Sequence, residues 1–254
     1  MKMITPLTAL FALALAVATG NLCAAELVVL SAGAVKPALS ALAPTWEKRT
    51  GHHLNVSYAT AGDLRRKLAA GEYADVVILP LENFAAVEQA GITNVTSRRD
   101  LGAVGIGVAV KAGAPVPDLA SEAGVKRALL DAKSVIFMDP ARGTSGKHID
   151  EVVLPKLAIR DAVRAKTTLG EGGMIAEKVA RGEVEIAFQQ MTELLPVKGI
   201  TVAGALPPSL QKTTVYSGAV MKSSKVAAEA AALLAFLAAG EGRAMFVAKG
   251  FTAP

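Results

Sequence analysis

Asp139-Pro-Ala-Arg-Gly-Thr-Ser-Gly-Lys-His148 joins an apolar run, Ser134-Val-Ile-Phe-Met138, to a helical pattern from Ile149 to Leu157. A buried strand that enters a glycine-rich turn and leaves as a helix aims N–H groups and hydroxyls at one point. That point lies at the helix's positive end. Arg142, Gly143, Thr144 and Ser145 furnish it as an anion seat. The arrangement recurs along the chain. Glu26-Leu-Val-Val-Leu-Ser31 turns through Ala32 and Gly33 into a helix with Leu39, Leu42 and Trp46 on one face. Leu54-Asn-Val-Ser-Tyr58 turns through Thr60 (whose hydroxyl would face the pocket or cap the next helix), Ala61 and Gly62, and Lys166-Thr-Thr-Leu169 through Glu171, Gly172 and Gly173. Such repetition predicts an α/β fold with mostly parallel sheets. Ligands of open α/β sheets sit beyond the carboxyl ends of the strands. Two turns from each half, facing each other, would enclose a small anion.

The N-terminus reads as an export signal. Lys2 precedes the uncharged run Leu7 to Ala18, and small residues end at Cys23-Ala24-Ala25. Cleavage after Ala25 and a periplasmic product are expected. The one cysteine leaves with residues 1–25, so thiolate catalysis, disulfides and cysteine metal sites are excluded from the mature chain. The net charge of +5 is spread among interleaved acids and bases, and aromatics make up 4%. That pattern argues against nucleic acid as a partner. His52 and His53 would point to opposite faces of a strand, so they are read as surface residues and not as a metal pair. With no His-x-x-x-His spacing elsewhere, neither a metal nor a cofactor is expected.

Further elements follow from pattern. Asp75, ahead of the apolar Val76-Val-Ile-Leu79, is read as a loop brace. Val104-Gly-Ile-Gly-Val-Ala-Val110 lacks the Gly-x-Gly-x-x-Gly spacing of a dinucleotide loop and suits a strand passing between lobes. Gln189 and Gln190 follow the strand Glu183 to Phe188, where their amides would either meet a carboxylate or carbonyl or lie at the surface. Thr201 to Ser217, with Pro207-Pro208, is read as the return crossover, and Val220 to Gly250 as a long Ala/Leu-rich helix and a shorter one.

Ser31-Ala-Gly-Ala34, Ala59-Thr-Ala-Gly62, Ala74-Asp-Val-Val-Ile-Leu79, Asp139 to Gly146, Ile186-Ala-Phe-Gln-Gln190 and Lys249-Gly-Phe251 together resemble the type II periplasmic solute-binding proteins. The likeness is to their molybdate-binding branch, over residues 26–254. It implies a two-lobed α/β fold with mixed, mostly parallel sheets and a ligand cleft between the lobes. One lobe is expected from 26–106 plus 207–254, the other from 107–206, after a signal at 1–25. Ala32, Gly33, Thr60, Ala61, Gly62, Arg142, Gly143, Thr144, Ser145, Gly172, Gly173, Gln189 and Gln190 are the expected ligand contacts. Molybdate binders of the branch carry serine hydroxyls in the first two turns and a tyrosine after the late strand. Ala32/Gly33, Ala61/Gly62 and Phe188-Gln189 stand there instead. A planar Arg142 fork would grip a carboxylate in two places. The branch also resembles periplasmic aconitate isomerase, which implies a cofactor-free allylic proton shift on a di- or tricarboxylate. His148, Glu171 and Lys147 are then the acid/base candidates. The alternative is a non-catalytic monomeric carrier that hands a small carboxylate or oxyanion to an ABC permease.

Overall fold

The computed structural model describes residues 24–254. The expected export signal falls, apart from its last two residues, outside the described ones. Ten strands are described: β1 (Glu26–Ala32), β2 (His53–Ala59), β3 (Val76–Pro80), β4 (Arg99–Val104), β5 (Ile106–Lys111), β6 (Val135–Met138), β7 (Thr167–Gly170), β8 (Ile186–Gln190), β9 (Ile200–Ala205) and β10 (Thr214–Val220). They form two five-stranded sheets, ordered β2-β1-β3-β10-β4 and β7-β6-β8-β5-β9. In each sheet four strands share one direction and one, β10 or β5, runs antiparallel to both its neighbours. The fold is therefore α/β with mixed sheets.

Local chemistry accounts for the elements. β3 is Val-Val-Ile-Leu-Pro, buried throughout, and it lies at the centre of its sheet between β1 and β10. β2, an edge strand, alternates between exposed and half-buried positions instead. The helix Lys36–Thr50 has proline in its first turn, where the missing donor costs nothing, and stops at Gly51 with φ of 73°. Trp46 packs in the core of the first lobe with Leu39 and Leu42. Asp75 braces its surroundings, accepting from Val28 N–H at 2.9 Å, Tyr73 Oη at 2.6 Å and Ser224 Oγ at 2.7 Å.

Several boundaries differ from the sequence reading. The chain crosses between sheets at Gly105, since Ile106 already pairs with Gln190. The segment 201–217 is largely strand: β9 bonds to β5, and β10 inserts antiparallel between β3 and β4. The return crossing is therefore only 206–213. Gln211 clips the two crossings together, accepting from Ile106 N–H at 2.7 Å and donating to Ile106 O at 3.0 Å. His52 is buried and not a surface residue, because its Nδ1 accepts from Ala25 N–H at 3.1 Å; His53 is exposed. The helix that opens at Thr144 passes through a π-helical turn at Ile149–Val153. That turn presents Asp150, 2% exposed, to Arg160 and Arg164.

Candidate functional site

A cavity of about 500 Å³ lies between the two sheets. All four glycine-bearing turns reach it: Ala32 and Gly33, Thr60 and Ala61, Gly143 to Ser145, and Glu171 to Gly173. β1, β2, β6 and β7 run parallel within their sheets and end at their turns, so their carboxyl ends deliver these residues. Thr144 and Ser145 open a helix there, and Gly172 and Gly173 take φ values of 157° and 70° that suit glycine. The size suits a small ligand.

Some expected contacts do other work. Thr60 lines the cavity, but its Oγ1 caps the helix Ala61–Ala69 by accepting from Asp63 N–H at 3.1 Å, and it donates to Asp63 Oδ2 at 2.7 Å. Gly62 lies behind the wall, donating its N–H to Arg142 O at 2.9 Å across the lobe boundary. Arg142 is not a free fork. Its Nη2 donates to Asp63 Oδ2 at 3.1 Å, so the side chain joins the lobes and stands outside the cavity lining. Gln189 is a brace: its Oε1 accepts from Ile175 N–H at 3.1 Å and its Nε2 donates to Gly173 O at 2.7 Å. Gln190 does line the cavity, with Nε2 3.3 Å from Thr214 Oγ1 and a buried Oε1 that has no partner.

Two of the three acid/base candidates are displaced. Lys147 is 63% exposed and pairs with Glu151 on the outer helix face. His148 Nε2 lies 2.9 Å from Leu210 O, fixing the return crossing and not facing the cavity. Both follow the first turn of a helix whose inward positions are taken by Thr144 and Ser145. Glu171 lines the cavity, but as an exposed residue at its rim.

Of the cavity residues the sequence reading missed, three bear most on its chemistry. Lys36 is the one cationic side chain among the described lining residues, and its Nζ lies 5.6 Å from the Tyr58 ring centre. Glu193 sits on a short helix, Met191–Leu194, that follows β8. Its remaining surface opens into the cavity, and enclosure lifts its carboxyl to about 8, with the Gln189 amide partly offsetting the rise. Tyr216, on β10, is buried, and its phenol faces the cavity beside Thr144 and Gln190. Burial, with the Glu193 carboxyl nearby, keeps that phenol protonated. Neither Glu193 nor Tyr216 belongs to a turn motif, and Tyr216 lay within the presumed crossover.

A family model described as bacterial extracellular solute-binding protein matches residues 27–252. The chain belongs to that family. Within curated relatives it is similar to aconitate isomerase from Pseudomonas sp, 36% identical over 217 residues, which is 84% of this chain and 82% of that protein. Among solved structures it is similar to the Azotobacter vinelandii periplasmic molybdate-binding protein, with a TM-score of 0.75 at 19% identity over 90% of this chain and 100% of that one. The sulfate-binding protein SubI from Mycobacterium tuberculosis H37Rv superposes with a TM-score of 0.72 at 18% identity, covering 89% and 86% of the two chains. These structural likenesses establish the type II periplasmic binding-protein fold.

On this solute-binding scaffold the cavity can do two things. Lys36, the hydroxyls of Thr144 and Ser145, and the backbone of the glycine turns can hold an anion's oxygens. Glu193 can exchange a proton with a bound molecule near neutral pH. Among the described residues no three His, Cys, Asp or Glu side chains gather as metal ligands.

Proposed function

We propose that this chain is a periplasmic isomerase that clamps a small tricarboxylate and interconverts trans- and cis-aconitate. The observation that carries this is Glu193, an acid/base group inside the anion cavity with a proton affinity matched to neutral pH. The likeness to aconitate isomerase supports the choice of substrate.

The reaction needs no cofactor. Glu193, in its ionised form, takes a proton from the methylene carbon that lies next to both a carboxylate and the double bond. The electron pair left behind shifts the double bond one position along the chain. Return of a proton to the former vinylic carbon completes the allylic exchange, and the geometry about the new double bond decides the isomer. Lys36 and the neutral donors from Thr144, Ser145 and Tyr216 stabilise charge that spreads onto the carboxylates in the dienolate-like transition state.

Incubation with trans-aconitate in deuterated water, followed by proton NMR, tests this. Appearance of cis-aconitate that stops in Glu193→Gln, with ligand-induced thermal stabilisation retained, supports it. Stabilisation by aconitate without any cis product moves the chain to a second reading, a carrier for an ABC permease. The neutral donors that line the cavity and the solute-binding family favour that reading.

A further inference from the structure

We propose that Glu193 and Gly33 form a proton-uptake site assembled by lobe closure, so that binding a polycarboxylate draws a proton from solution. The inference rests on the proposed location of substrate in the same cleft, but not on turnover. Glu193 comes from the second lobe and Gly33 from the first. A methyl group added to Gly33 would stand 3.1 Å from Glu193 Oε1. Gly33 has no positive φ, so its backbone does not demand glycine. What the missing side chain supplies is room for the carboxyl.

The charges around that carboxyl leave it without a counter-ion. β10 presents the Tyr216 phenol, and β8 the Gln189 amide. Glu82, beyond Tyr216, is taken by Lys212 at 2.7 Å. Of the other charged groups on the cavity, Asp63 is held by Arg66 and Arg142, Glu171 and Glu177 are exposed acids, and Lys36 is the single cation. Among the described residues, none makes an ion pair with Glu193.

An enclosed carboxyl lacking a cation holds its proton, whereas one bathed in water ionises in the ordinary acidic range. Opening the lobes admits water to Glu193 and releases the proton; closing them takes it back from solvent. The balance is a single proton moving from buffer to a Glu193 oxygen, with no other bond made or broken. A protonated Glu193 can then donate to a substrate carboxylate that an ionised one would repel. Near neutral pH a fraction of bound Glu193 gives that proton back to solvent, and this ionised fraction is the base the isomerisation uses.

Calorimetric titration with propane-1,2,3-tricarboxylate, a saturated analogue that cannot isomerise, separates this from catalysis. At neutral pH the binding enthalpy should differ between phosphate and Tris buffers by an amount that corresponds to about one proton per ligand. Glu193→Gln should still bind and lose the difference. Gly33→Ala, which crowds the carboxyl, should bind severalfold more weakly and shift the affinity–pH profile. Equal enthalpies in both buffers for the wild type, or a difference that survives in Glu193→Gln, overturn the proposal. Proton uptake without isomerisation of trans-aconitate leaves it standing and removes the enzyme reading; isomerisation without uptake does the reverse. If neither tricarboxylate gives heat or a thermal shift, both ideas fall.

Discussion

Arg142 Nη2 lies 3.1 Å from Asp63 Oδ2, and this contact ties the second lobe's turn to the first lobe's helix. Burial alone would raise the Asp63 carboxyl, but hydrogen bonds from Thr60 and Arg142 outweigh it and hold the group below its usual range.

The Asp63–Arg142 pair should therefore strengthen closure. A double-mutant cycle with Asp63→Asn and Arg142→Ala should give a coupling of about 0.5–1 kcal/mol in thermal stability, the range for a half-buried pair. Because the folded pKa is depressed, the stabilisation is fully present above the unfolded value of about 4 and is lost as pH falls through the folded value. The gap between wild type and Asp63→Asn should shrink in melts taken below about pH 4.

Gly62 controls how closely the lobes meet. A Cβ there would lie 2.6 Å from Ala141 O and 3.0 Å from Arg142 Cα, both backbone atoms. Neither can rotate away, so Gly62→Ala should hold the lobes apart. Ligand affinity should fall about tenfold or more, a cost of about 1.4 kcal/mol. Each lobe should stay folded, since alanine suits a helix. Small-angle scattering with saturating ligand should show a larger radius for the variant; an unchanged radius and affinity would refute this account.

Glu193 acts on stability with the opposite sign to Asp63. Its folded pKa of about 8 exceeds the ordinary carboxylate value, so the folded state binds more protons between the two. Stability of the closed, tricarboxylate-saturated protein should fall as pH rises from about 4.5 to about 8, by up to a few kcal/mol. Thermal melts of Glu193→Gln should lack this decline. A parallel decline in both proteins would locate the effect elsewhere.

Lys36 and the displaced candidates should separate cleanly. Lys36→Met removes the cavity's cation and should weaken tricarboxylate binding about tenfold. Lys147→Ala, on the outer face, should leave affinity and turnover unchanged. His148→Ala should cost about 1 kcal/mol of stability through the lost bond to Leu210 O, with turnover intact. Loss of turnover in His148→Ala with stability unaffected would restore the histidine as acid/base candidate.

The fold class was legible because hydrophobic runs, glycine turns and helix starts are local. Ser134 to Met138, the turn at Gly143 and the helix beyond it follow from side-chain periodicity and backbone freedom alone, and each such turn joins its strand end to a helical segment. Sequence also brought four turns to one cavity through the parallel strands that carry them. It did not determine which side chains turn inward. Arg142 looked like a ligand fork until packing set Asp63 within its reach, 79 positions away in sequence. Lys147 and His148 adjoin the anion turn, yet helical rotation carries them off it. Glu193 gained its proton affinity only from enclosure between lobes, and Tyr216 its place only because β10 inserts between β3 and β4. Desolvation and long-range pairing are properties of the assembled volume, and no window of neighbouring residues contains them.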